Sequence, residues 1–228
     1  MNFINFSGKG LRDRNEDFIL TKDLTADTTL YIVADGMGGY PHGEIASQVA
    51  ADSICRIISE NKDKEQIVDL IQKAVKYADE QIKLKQIELC SRIGTTFAAV
   101  YLAGLKAYIF WLGDVQIQHY RDDVQLFISH SHTLLNEICT TRRIPSRDIM
   151  RYKHIVTRSL SGTSLLEELP IVELDCIKGD FIIISTDGLY NAININPLIH
   201  MSTTAVLSEL EQMQNVMEDN YSIILINV

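Results

Sequence analysis

The sequence predicts an α+β protein in which antiparallel sheets are covered by antiparallel helix pairs. Three observations lead there: two long stretches of helical periodicity lie back to back, four β-rich segments follow one another through very short connections, and strand and helix patterns do not alternate as a parallel sheet requires. Residues 30–34 are an apolar run that stops at Asp35-Gly36, which suits a buried strand ending in a turn. From 43 to about 61 the apolar positions Ile45, Val49, Ile54, Ile57 and Ile58 fall on one helical face, and from 63 to 89 Ile67, Leu70, Ile71, Ala74, Ala78 and Ile82 do the same. Segments 95–103, 105–113, 115–120 and 123–129 are rich in β-formers, and connections as short as Ala103-Gly104 and Arg121-Asp122 predict an antiparallel meander. Residues 133–160 read as irregular helix, 170–176 and 181–186 as strands, 202–217 as an amphipathic helix and 221–227 as a final strand.

Composition narrows the functional classes. A chain of 228 residues, 46% hydrophobic and 22% charged, with no Pro/Gly/Ser-rich linker, predicts a single domain over 1–228 with a sizeable core. Thirty acidic against 21 basic residues leave a formal charge of −9, which repels a phosphate backbone, so nucleic acid is not an expected partner. Cys55, Cys90, Cys139 and Cys176 sit singly, without a CxxC, which suggests neither a zinc knuckle nor a disulfide framework. No apolar run approaches the eighteen residues of a membrane span, and the N-terminus lacks the pattern of an export signal. The expectation is a cytoplasmic protein with no membrane partner.

The chemical signal is the recurrence of aspartate at the ends of apolar strands. Residues 30–34 run into Asp35-Gly36, 107–112 into Gly113-Asp114 and 181–186 into Asp187-Gly188, while Asp219-Asn220 immediately precedes 221–227. One Asp-Gly after a strand is ordinarily a turn. Four of them on packed sheets bring carboxylates to one rim, where they repel unless divalent cations neutralise them. Oxygen-only ligation favours Mg²⁺ or Mn²⁺ over zinc, and two such ions about 3.5–4 Å apart activate water for attack on phosphorus. Upstream, Arg12 stands four residues before Glu16-Asp17, and its planar fork suits a phosphate.

These residues carry a resemblance. Gly10-Leu11-Arg12 with Asn15-Glu16-Asp17, the run 33–39 (Val-Ala-Asp-Gly-Met-Gly-Gly) with 43–47 (Gly-Glu-Ile-Ala-Ser), Gly94-Thr95-Thr96, Gly113-Asp114, 185–189 (Ser-Thr-Asp-Gly-Leu) and Asp219-Asn220 follow in the order and spacing of the metal-dependent serine/threonine protein phosphatases. The chain resembles the bacterial branch of that family, the PPM or 2C type, over nearly its whole length. The resemblance implies a β-sandwich of two antiparallel sheets flanked by antiparallel helix pairs, with two Mn²⁺ or Mg²⁺ ions at one edge. It makes Asp35 the carboxylate bridging both metals, Gly36 a carbonyl contributor, and Asp187 and Asp219 ligands of the second ion. Glu16 acts through water, Asp17 orients water, Arg12 clamps the phosphate, and Asp114 with Asp187 matches a third, weaker metal position. The implied activity is hydrolysis of phosphoserine or phosphothreonine by a water that two metals activate, with no organic cofactor. The expected partners are a phosphorylated protein substrate and a serine/threonine kinase with its targets, and the expected state is a monomer.

The chain also departs from the pattern. Gly113-Asp114 is followed by Val115-Gln116 where the family has Ser-Arg, Ser131-His132-Thr133 replaces Asp-His-Ser, and Met37 stands where eukaryotic members carry a histidine, so no leaving-group acid is assigned. Two rivals follow from the same residues. An inert adaptor that binds phosphorylated partners would have no need to keep Arg12, Asp35, Asp187 and Asp219, and a two-metal phosphodiesterase fits the carboxylates but not the charge of −9. Finally, Arg142, Arg143, Arg147, Arg151, Lys153 and Arg158 face only Asp148 in a stretch that matches the family's flap, which predicts a basic face steering acidic substrate segments.

Overall fold

The computed structural model describes residues 2–141, 145–163 and 169–228. The chain opens with β1 (Asn2–Gly8), β2 (Asp17–Thr25) and β3 (Thr28–Gly36), followed by α1 (Gly43–Asn61) and α2 (Ile67–Leu89). Next come β4 (Thr95–Ala103), β5 (Lys106–Leu112), β6 (Gln116–Arg121) and β7 (Val124–Ile128), then α3 (Leu134–Thr141) and α4 (Ser146–Lys153). The last third holds β8 (Ile171–Asp175), β9 (Phe181–Ser185), α5 (Asp187–Tyr190), α6 (Thr203–Gln212) and β10 (Tyr221–Asn227). One antiparallel sheet has the order β2-β3-β4-β5-β8 and the other β1-β10-β9-β6-β7.

Three apolar layers hold these sheets. On β3, Leu30, Ile32 and Ala34 pack with α1 and α2, while Tyr31 and Val33 enter the layer between the sheets. Burial on both faces is why 30–34 is apolar without alternation. The small side chains Ala46, Ala50 and Ala51 of α1 and Ala74 and Ala78 of α2 are fully buried, which lets the helix pair seat closely on the first sheet. Outside the second sheet, Ile183, Ile223 and Leu225 are covered by Val206 and Leu210 of α6 and by Leu198 and Ile199 of a short 3₁₀ turn. Ser202 caps α6, its hydroxyl accepting from Ala205 N–H at 3.3 Å, and the predicted helix 202–217 ends at Gln212 in a 3₁₀ turn.

Two details differ from the sequence reading. The four β-rich segments are two hairpins, β4-β5 in one sheet and β6-β7 in the other, so the expected single meander is split. The chain crosses between sheets at Gly113, whose φ of +105° and whose position 2.3 Å (for an added Cβ) from Thr96 Cβ exclude a side chain. Second, β1 and β2 escape the pattern. Both are edge strands, and β1 buries only Ile4 and Gly8.

Candidate active site

The register of the first sheet sets Asp17 of β2 opposite Asp35 of β3, and Asp35 opposite Thr96 of β4. Directly opposed residues share a face, so the two carboxylates are neighbours. From the second sheet, β9 leads through Thr186 into Asp187 at the start of α5, and Asp219 stands just before β10. Asp114 follows the crossover at Gly113. Arg12, Glu16, Asp35, Asp114, Asp187 and Asp219 all line one open cleft of about 870 Å³. The sequence-predicted residues are thus brought together, with Gly36 also in the wall and Asp17 buried behind it.

Electrostatics in the cleft follow from crowding. Burial, then the charges of Asp17, Asp187, Asp114 and Asp219, raise the Asp35 carboxyl well above the ordinary range. Burial chiefly, with Asp187 and Asp219 adding and two hydroxyl bonds opposing, lifts Asp17 to about 7. Asp114 is lifted to about 6 by burial and then by Asp187. Glu16 and Asp187 are raised as well, both first by burial. Asp17 Oδ1 is buried without a hydrogen-bond partner, so the cluster has unused oxygen donors as well as excess negative charge.

Residues that the sequence reading gave no role fix this geometry. Thr186 Oγ1 and Ser222 Oγ donate to Asp17 Oδ2 at 3.0 and 2.7 Å, tying the two sheets together behind the cleft. Asn220 staples the Arg12 loop: its Nδ2 donates to the carbonyls of Lys9 and Arg14 at 2.8 Å each, and its Oδ1 accepts from Glu16 N–H at 2.9 Å. The Glu16 carbonyl accepts from Gly36 N–H at 3.1 Å and from Ser47 Oγ at 2.6 Å. Gly36 must be glycine, because an added Cβ would lie 2.5 Å from the Gly43 backbone and push α1 off the cleft. The sequence signal for Thr186, Asn220 and Ser47 was membership in the runs 185–189, 219–220 and 43–47, and Ser222 carried none.

Arg12 is half exposed, its Nη2 donating to Asp219 Oδ2 at 2.7 Å. His132 keeps an imidazole beside the crossover: its Nδ1 accepts from Gly113 N–H at 3.0 Å and its ring stacks on Trp111. Burial, then Arg158 and His130, hold His132 down to about 4, so it stays neutral. Val115 is buried between the sheets, so the position where the family has a serine offers no hydroxyl to Asp114. Arg142 and Arg143 of the predicted basic face lie outside the described residues. Arg151 and Lys153 occupy the last turn of α4, and His154 just beyond lines the cleft, its Nδ1 3.9 Å from Asp187 Oδ2.

Comparison with known proteins agrees with this fold and identifies the family. The serine/threonine phosphatase stp of Listeria innocua is 27% identical over 191 residues, covering 80% of this chain and 75% of that protein. The serine/threonine phosphatase structure from S. agalactiae superposes with a TM-score of 0.84 at 24% identity, covering 100% of this chain and 99% of that one. The catalytic domain of the phosphatase PstP, in complex with two manganese ions, gives a TM-score of 0.78 at 20% identity, covering 98% and 96%. The family profile described as Protein phosphatase 2C matches residues 12–223, and the chain belongs to that family.

Proposed function

We propose that this chain is a metal-dependent phosphatase of phosphoserine and phosphothreonine in proteins, its 228 residues forming one catalytic domain. The observation that carries the reading is the convergence of Asp35, Asp114, Asp187 and Asp219 on one cleft, with Asp17 buried behind it and Arg12 at its lip. Enzymes of this family use divalent metal ions, and the residues here fit them: the donors are all oxygen, they repel one another as they stand, and one buried carboxylate oxygen lacks a partner. Asp35, the Gly36 carbonyl, Asp187 and Asp219 would hold two Mn²⁺ or Mg²⁺ ions, with Glu16 reaching one through water and Asp114 available to a third. Such ions supply charge neutralisation and a nucleophilic water near neutral pH.

The chain's own groups do the rest. Asp17, fixed by Thr186 and Ser222, keeps its free Oδ1 for orienting water. Arg12 sits on a stapled loop and lines the cleft, so its half-exposed guanidinium would meet a phosphate there from a fixed backbone. We assign it a cytoplasmic setting, as a monomer acting on the targets of a serine/threonine kinase; among the described residues no helix is long and apolar enough to cross a membrane. The decisive assay is Mn²⁺-dependent release of phosphate from a phosphothreonine peptide, abolished by EDTA; no release with either metal overturns the reading.

Arg12→Ala is expected to lower kcat/KM on that peptide by about 10²-fold, as loss of a charged phosphate donor does, with Arg12→Lys recovering part. Its contact with Asp219 fixes the sign of a second effect. Removing a cation from a carboxylate leaves Mn²⁺ affinity retained or tightened, and calorimetry showing weakened Mn²⁺ binding would refute the assignment.

A further inference from the structure

Leu11 and Val216 are 63% and 69% exposed, two of the three most exposed large aliphatic side chains among the described residues. Single exposed aliphatics are ordinary on any surface. These two differ in where they stand and how firmly they are held. Leu11 immediately precedes Arg12, and its N–H donates to the Met217 carbonyl at 2.9 Å, next to Val216. Gly10 has a φ of +62°, and an added Cβ would lie 2.3 Å from the Asp219 carbonyl, so the strap crosses residues 217–219 in close contact. The Met217 side chain is buried under the second sheet, anchoring the other half of the crossing. A fixed backbone thus presents two aliphatic side chains to solvent beside the phosphate clamp, amid the charges of Arg12, Asp13, Arg14, Glu218 and Asp219.

We infer that Leu11 and Val216 form an aliphatic platform that receives an apolar side chain next to the phosphorylated residue, so that the enzyme selects phosphosites flanked by aliphatic residues. The inference rests on the phosphatase reading and deepens it. An extended substrate advances about 3.3–3.6 Å per residue, so with its phosphate on Arg12 the residues one or two positions away pass over the strap that carries Arg12. Ordering costs little, because the platform is already fixed. Two exposed aliphatics discriminate modestly, at about five- to tenfold between leucine and alanine, at or below the lower end of what an enclosed apolar pocket achieves.

The test uses the full chain with Mn²⁺, phosphothreonine peptides carrying Leu, Ala, Lys or Glu at the two flanking positions, and p-nitrophenyl phosphate as a substrate too small to reach the platform. Wild type should favour leucine over alanine about five- to tenfold in kcat/KM. Leu11→Ser with Val216→Ser should erase that preference, leave the aryl phosphate within about twofold, and leave the melting temperature nearly unchanged, since neither side chain is buried. No leucine preference, a best substrate with Lys or Glu, or equal losses on peptide and aryl phosphate would each overturn the platform while leaving the phosphatase reading intact. No Mn²⁺-dependent hydrolysis of any substrate by wild type would overturn both.

Discussion

Asp35→Asn is expected to reduce phosphate release by on the order of 10³-fold or more, and at the same time to raise the melting temperature of the EDTA-treated protein. Both effects come from one charge. Asp35 sits among Asp17, Asp187, Asp114 and Asp219, and its carboxylate is raised well above the ordinary range by burial and then by those neighbours. Its charge is useful for holding cations and costly without them. The same logic gives a pH dependence. A carboxyl whose folded pKa is raised contributes stability that is fully present below its unfolded pKa, near 4, and lost as pH rises through the folded value. With Asp114 near 6 and Asp17 near 7, the metal-free protein should lose stability between about pH 4 and pH 8. Saturating Mn²⁺ should reverse that slope, since cations bind the deprotonated groups. Calorimetric melting curves in EDTA and in Mn²⁺ across that range measure it. A metal-free protein that grows more stable toward pH 8 would contradict the electrostatic picture, and full activity in Asp35→Asn would remove Asp35 from the chemistry.

The parts of this fold that were legible in the sequence are those buried on two sides. β3, β4 and β10 lie inside their sheets, so both faces demand apolar residues and their runs stand out; β9 shows the same pattern at 182–184. β1 and β2 are edge strands with mostly exposed or half-buried positions, and Asn2, Asn5 and Ser7 in β1 read as loop. The split of the predicted meander was hidden because Gly113 looks like any hairpin glycine. Only the packing against Thr96 makes it a crossover between sheets. At the site, aspartates at strand ends were visible one by one, since strand ends in a sandwich gather at a common rim. Their supports were not. Thr186 and Ser222 hold Asp17 across separations of 169 and 205 residues, and a serine or threonine in or just past a strand carries no mark of such a partner. Asn220 likewise closes a loop 204 residues away.

At the far end of β9 from Asp187, about 16–17 Å away along five strand residues, Asp180→Ala should cost about 3–5 kcal/mol of folding stability. Asp180 is fully buried, and its carboxylate accepts from Arg121 Nε and Nη2 at 2.9 and 2.8 Å, from Ile177 N–H at 3.0 Å, and pairs with His119 Nε2 at 2.8 Å. Cys176 stands close enough to complete a His-Cys-Asp set with ligand atoms within 4.8 Å. The carboxylate's acceptor sites are already taken, however, and a cation would have to displace a guanidinium that satisfies them, so the cluster acts as an ion pair. Burial opposes the Asp180 charge, but Arg121, the Ile177 amide and His119 together hold the carboxyl well below the usual range. Its folded pKa is therefore depressed, and the stability it contributes is present above the unfolded value near 4 and lost as pH falls from there toward the folded value. That window lies on the acid side of the cleft's, where the cluster around Asp35 has already reached its full contribution, so urea titrations of wild type and Asp180→Ala should differ most at neutral pH and converge in acid. Removing the carboxylate leaves the buried His119 imidazole without this partner and the Arg121 guanidinium with only the Asp175 carbonyl, whereas Asp180→Asn keeps one acceptor oxygen and should lose less. A loss under about 1 kcal/mol in Asp180→Ala would mean that desolvating this group nearly cancels its pairing, as happens for many buried ion pairs.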